Sequence, residues 1–212
     1  MGAIAQLLPL VRTARRDQDP SVLSAALQAF LDFGIKRTSM VEVARRGGLS
    51  LATLYRRFSS KSDLVQAVAL QQTREFIDSV DAAVQRQVER DAGATEQIVE
   101  LFVACLDGLR GNELLDRLLD TEPETILPYL TTRGAPVIEL GRDYLAEFIT
   151  RLQDEEKLPR YDPLPLAEMI ARTALSMALT PQTVIPLDDD TAVRAYARDH
   201  VVVSFRVFES GS

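Results

Sequence analysis

The sequence predicts an all-α protein, a three-helix N-terminal unit followed by a helical bundle. Three observations carry this. The chain holds ten prolines, yet none lies in the 102 residues from Ser21 to Glu122. Its apolar residues recur at spacings of three and four. Long β-branched runs are absent, Val201-Val202-Val203 being the longest run of valines. Such punctuation suits helices joined by short turns better than strands, which need frequent turn signals.

Ser21, after Pro20, can cap a first helix. Its apolar positions Val22, Ala26, Ala29, Phe30 and Phe33 fall at helical spacing, and Gly34 ends it as a left-handed cap residue. A second short helix begins near Thr38-Ser39. Glu42, three residues after Ser39, completes the pattern of a capping box, and Met40, Val43 and Ala44 form the inner face. Gly47-Gly48 stop it, Leu49 plugs the turn, and Ser50 caps a third helix, 51–58, with Leu54 and Phe58 on its buried side. Ser59-Ser60 break the chain before a fourth helix that runs from Lys61 past Phe76 toward Glu89. Further helices are expected at 95–109, from Asn112, in a segment bent by Pro123 and Pro128, at 136–155, at 166–179, and from Asp188-Asp189-Asp190 to about Phe208. The three aspartates suit a helix start, where the dipole favours negative charge. They lack the interleaved ligands and glycine turn of a calcium loop.

Charge divides the chain. Residues 1–65 carry ten Lys/Arg and five Asp/Glu, net +5, whereas residues 66–212 are net −12, within a total of −7. A basic segment on an acidic body suggests that one end meets a polyanion. A short helix, a glycine turn and a second short helix is also the geometry that places a helix in the DNA major groove. The alternatives are an enzyme built on a helical bundle and a helical interaction module without DNA binding. Catalytic chemistry is poorly supplied: there is one histidine, His200, one cysteine, Cys105, and neither a phosphate loop nor a nucleophile elbow. No enzyme activity, cofactor or metal is therefore expected. Ala3 to Val11 is interrupted by Gln6 and Pro9 and lacks a preceding basic region, so it reads poorly as a signal peptide, and a cytoplasmic protein without membrane contact is expected.

The stretch Ala25-Ala26-Leu27-Gln28-Ala29-Phe30, Gly34, Thr38-Ser39-Met40, Val43-Ala44, Gly48-Leu49-Ser50 and Leu54-Tyr55-Arg56-Arg57-Phe58-Ser59-Ser60-Lys61-Ser62-Asp63-Leu64 resembles the N-terminal domain of TetR-family transcriptional regulators. The spacing holds across about forty positions. Gly47 departs from the family pattern. The resemblance implies a DNA-binding domain at 21–66, preceded by an arm at 1–20 and followed by a ligand-binding and dimerisation domain at 67–212. It implies a homodimer on a palindromic operator in double-stranded DNA, a repressor released by a small effector.

Residue by residue, the resemblance implies phosphate contacts from Thr38 or Ser39, from Tyr55 and from Lys61. It implies base reading by Ser50, Leu51, Ala52, Thr53 and Arg56. Arg45 and Arg46 read as a solvated helix face; Arg12, Arg15 and Arg16 precede the domain and suit a minor-groove arm or a disordered tail. In TetR-like proteins the last two helices form the dimer interface. The small residues Ala167, Ala171, Ala174, Ser176 and Ala178, and the stripe Val193, Ala197, Val201, Phe205 and Phe208, would suit that role or packing within one subunit. An effector pocket in the body is expected to be mainly apolar, with Phe102, Leu106, Tyr129, Tyr144, Phe148 and Met177 as candidate lining, and to take an apolar or amphipathic ligand.

Overall fold

The computed structural model describes residues 8, 11–12, 20–180, 182–185 and 187–205, and among these there are helices and no strands. Leu8 and Val11 are buried. Arg15, Arg16 and Phe208 lie outside the described residues.

Helix α1, Pro20–Phe33, buries Val22, Leu23, Ala26, Ala29 and Phe30. Phe33, expected on that face, is exposed instead and lies under the Arg46 guanidinium. Gly34 adopts φ +80°, the left-handed region where glycine carries no Cβ penalty. Helix α2, Met40–Arg46, starts at Ser39, whose side chain accepts from the Glu42 amide. The reciprocal half of the capping box does not form, because the Glu42 carboxylate turns to Arg45 and Arg46. Those charge-assisted bonds outcompete a neutral backbone donor. The second turn glycine, Gly48, supplies the positive φ of +64°. Helix α3, Leu51–Arg57, is capped by Ser50, which accepts from the Thr53 amide. Helix α4, Lys61–Val88, runs unbroken for 28 residues.

Helix α5, Ala94–Arg110, precedes α6, Glu113–Thr121, whose cap is Asn112. The proline-bent segment resolves into α6 and a separate α7, Pro123–Leu130, which meet at Glu122. Helices α8, Ala135–Asp154, and α9, Pro163–Leu179, follow. Asp189 caps α10, Asp190–Tyr196. A π-helical turn, Ala197–Val201, leads directly into α11, Val202–Ser204.

These elements form two compact units. One comprises the described residues of Pro9–Phe76 together with Asn112–Arg133. Its core joins Val22, Ala26, Ala29 and Phe30 of α1, Val43 and Ala44 of α2, Leu54 of α3, Phe58, and Leu64 and Val68 of α4. Leu49 and, from α6, Leu114 pack against it. The other unit takes Ile77–Gly111 and Gly134 onward. There α8 lies along α9, and α5 packs against α9, α10 and the π turn. Ala167 and Ala171 of α9 are buried, and a Cβ on Gly141 of α8 would come within 3.2 Å of the Ala171 methyl. Val193, Ala197 and Phe205 are also buried within the protomer. For these five residues the structure shows packing within the protomer, one of the two roles the sequence left open, whereas Ala174, Ala178 and Val201 are half-buried and Ser176 is exposed.

Candidate functional site

Helix α3 is fixed by its inner side. Leu54 is fully buried, and Phe58 closes the helix from the same core. Opposite them, Leu51 is 38% exposed and Tyr55 49%, and Ala52 and Arg56 are exposed as well. Residues four apart stack on a helix, so Tyr55 stands over Leu51 and Arg56 over Ala52, making one outward face. At its start, the Ser50 and Thr53 hydroxyls hydrogen-bond each other at 2.9 Å.

The preceding turn is held tightly. Thr38 is buried, and its hydroxyl donates to the carbonyls of Ala29 (2.9 Å) and Gly34 (2.7 Å). An inward hydroxyl with two interior acceptors cannot reach a phosphate, so the expected contact narrows to Ser39, which is exposed. Lys61 Nζ donates to the Lys36 carbonyl at 3.0 Å, bracing that turn from the start of α4. Arg46 pairs with Asp32 and Glu42, and Arg45 with Glu42. The two guanidiniums hold the Glu42 carboxyl well below the usual range, at about 2.

The sequence offered no signal for a second brace. Glu122 is 5% exposed, and its Oε1 accepts from the Lys36 backbone N–H at 2.9 Å. Arg117 Nη2 donates to the Asp32 carbonyl at 3.2 Å, and Lys36 pairs with Glu124. The α1–α2 turn is thus held by α6 and α7 as well as by Lys61.

In the other unit, the candidate effector residues Phe102 and Leu106 sit on α5, Tyr144 and Phe148 on α8, and Met177 on α9. Leu106, Tyr144 and Phe148 are buried, and Phe102 and Met177 half-buried. The Tyr144 hydroxyl donates to Asp81 at 2.8 Å. Burial of the sulfur, together with the charge of Asp81, pushes the thiol of the half-buried Cys105 up to about 12, so it stays neutral. Tyr129 does not join this set: it lies on α7 in the N-terminal unit and is 55% exposed. The segment of Pro123 and Pro128, read from sequence as part of the body, belongs to the N-terminal unit. The three aspartates are each engaged: Asp188 with Arg110, Asp189 as a cap and Asp190 with Arg194. His200 is exposed and its ring lies 4.8 Å from that of Tyr196. Among the described residues no group of three His, Cys, Asp or Glu is placed to hold a metal, and no helix is long and apolar enough to cross a membrane.

Two family models match the chain. One, of bacterial regulatory proteins of the tetR family, covers residues 22–68. The other, the C-terminal domain of the bacterial tetracyclin repressor, covers residues 93–195. An uncharacterized HTH-type transcriptional regulator of Mycobacterium bovis is 28% identical over 84% of this chain and 89% of its own. The HTH-type transcriptional activator FasR of Mycolicibacterium smegmatis is 37% identical over 67% of this chain and 62% of its own. Among solved structures, the TetR-family repressor AlkX of a Dietzia strain superposes with a TM-score of 0.61 at 23% identity, covering 87% of this chain and 96% of that one. A TetR-family protein of Mesorhizobium loti gives 0.63 at 20% identity, covering 91% and 96%.

Proposed function

Because this chain belongs to the TetR family of bacterial transcriptional regulators and is a DNA-binding regulator, we propose that it acts as a cytoplasmic homodimeric repressor released from a palindromic operator by a small apolar or amphipathic effector. It works by binding and catalyses no reaction. DNA binding is assigned to residues 21–66, and effector binding and dimerisation to the part of 67–212 that forms the other unit, Ile77–Gly111 and Gly134 onward. The observation that carries the reading is the outward face of α3, with Leu51, Ala52, Tyr55 and Arg56 exposed on a segment of net charge +5. A helix locked on one side and presented on the other is what a major groove admits. Ser39, Tyr55 and Lys61 contact phosphates beside it, the Lys61 ammonium keeping N–H groups beyond the one given to the Lys36 carbonyl.

The effector class follows from Phe102, Leu106, Tyr144, Phe148 and Met177, which are apolar or aromatic and share one unit. The C-terminal segment as a whole, residues 66–212, is net −12, which disfavours a polyanionic ligand. The effector shifts the population toward a state that no longer fits the operator. The test begins with duplexes recovered by the full-length protein from a random library. Acyl, lactone and sugar-phosphate compounds are then screened for release of that DNA and for a rise in melting temperature. Reciprocity requires that a compound bound more tightly by the DNA-free protein weaken DNA binding by the same factor. An acyl or lactone compound that does both supports the proposal. Release by highly charged metabolites alone would overturn the apolar-effector reading.

A further inference from the structure

The DNA-binding reading above leaves open what α3 reads, and its side chains narrow the choice. We propose that each half-site is read chiefly through thymine methyl groups, by Leu51 and Ala52, with one guanine read by Arg56 about two base pairs away. The inference rests on that DNA-binding reading.

Bidentate reading of adenine needs Asn or Gln, and reading of the cytosine amine needs Asp or Glu. The segment from Ser50 to Arg57 contains none of these four residue types. Its two small hydroxyls are engaged locally, since Ser50 Oγ accepts from the Thr53 amide at 3.1 Å and hydrogen-bonds the Thr53 hydroxyl at 2.9 Å. With Tyr55 of the same face assigned to a phosphate, what the outward face offers to bases is the Leu51 side chain, the Ala52 methyl and, one turn on, Arg56. Apolar side chains meet the thymine C5-methyl, and arginine meets guanine O6 and N7. A leucine left 38% exposed on a helix otherwise locked into the core gains a partner only when that methyl reaches it. Spacing follows from geometry. Four residues of helix rise about 6 Å, against 3.4 Å per base step, so the guanine and the methyl lie about two steps apart.

The experiment uses the full-length protein and the duplex it selects from a random library. Each thymine is replaced singly by deoxyuridine, which removes the C5-methyl alone. The expected result is one or two thymines per half-site at which the replacement weakens binding about fourfold, the effect of one buried methyl-sized group. Leu51→Ala abolishes that sensitivity at one of them. Because Leu51 lies outside the core, its circular dichroism stays that of the wild type. Replacing the guanine about two steps away by 7-deazaguanine weakens the wild type about tenfold and leaves Arg56→Ala unaffected. A selected duplex in which no thymine methyl matters overturns the inference alone, as does Leu51→Ala losing equal affinity on thymine and uracil DNA. Selection that enriches no duplex overturns the DNA-binding reading and this inference with it.

Discussion

Gly34 and Glu122 meet at the turn that sets the angle between α1 and α2, and each limits what the other position tolerates. Glu122 is the sole acceptor shown for the Lys36 N–H, 86 residues away. Glu122→Ala removes the acceptor of that part-buried donor and is expected to destabilise the protein by about 0.5–1.5 kcal/mol, whereas Glu122→Gln keeps a carbonyl acceptor and costs less. Gly34→Ala puts an L-residue at φ +80° and a methyl 2.6 Å from Glu122 Oε1. The left-handed conformation alone costs about 1–2 kcal/mol. The clash displaces the same carboxylate, so the double variant Gly34→Ala/Glu122→Ala should lose less than the sum of the two single variants. Urea midpoints of the four proteins decide this, and strict additivity would mean that the two positions act independently. The caps at Ser39, Ser50 and Asn112 were legible in the sequence because donor and acceptor lie within three residues, and the three aspartates marked a helix start without singling out Asp189 as its cap. The Glu122 brace was not, since nothing near Glu122 or Lys36 marks a bond that only the fold creates. Glu42 illustrates the intermediate case, in which a local motif was present but two neighbouring guanidiniums captured the carboxylate.

Helices themselves were read closely, as in 95–109 against the observed Ala94–Arg110, because periodicity and breakers are properties of a single segment. The partner of each face was less legible. Ala167 and Ala171 marked α9 as a helix approached closely, but small residues encode distance and not which helix comes near. The approaching helix is α8 of the same chain, at Gly141. The π turn at Ala197–Val201 likewise left no mark in the periodicity. The α8–α9 contact predicts a graded response. Gly141→Ala gains about 1 kcal/mol of helix propensity but squeezes a contact of 3.2 Å, so its melting temperature should stay within a few degrees of wild type. Gly141→Leu overfills the same contact and should cost about 1–3 kcal/mol, read as a clear fall in melting temperature with helicity retained at 20 °C. Equal melting temperatures for the two variants would show that α8 and α9 separate without resistance.

The whole molecule joins a segment of net charge +5 to a body of −12, and the assembly proposed for it must use surface that the protomer leaves open. With Val193, Ala197 and Phe205 buried, the apolar side chains still exposed in the C-terminal unit include Leu164 and Met169 of α9 and Val203 of α11, with Ala174 half-buried among the α9 positions. Ala174→Glu is therefore expected to sediment as a helical monomer where the wild type sediments as a dimer at micromolar concentration. Two linked domains on a palindrome gain an effective concentration worth roughly 10²–10⁴ in affinity, so the variant should lose about that factor on the full operator. On a duplex carrying one half-site it should bind as well as the wild type, since its α3 face is untouched. Each phosphate contact contributes about −0.9 to the slope of log affinity against log salt, and a monomer makes half the contacts, so the slope on the full operator should fall to about half. These three readings separate assembly from recognition. A wild type that is monomeric at micromolar concentration rules out the dimer, and a dimeric Ala174→Glu with full operator affinity moves the interface away from α9. Equal losses on operator and half-site would instead show that the substitution disturbs the DNA-binding unit itself.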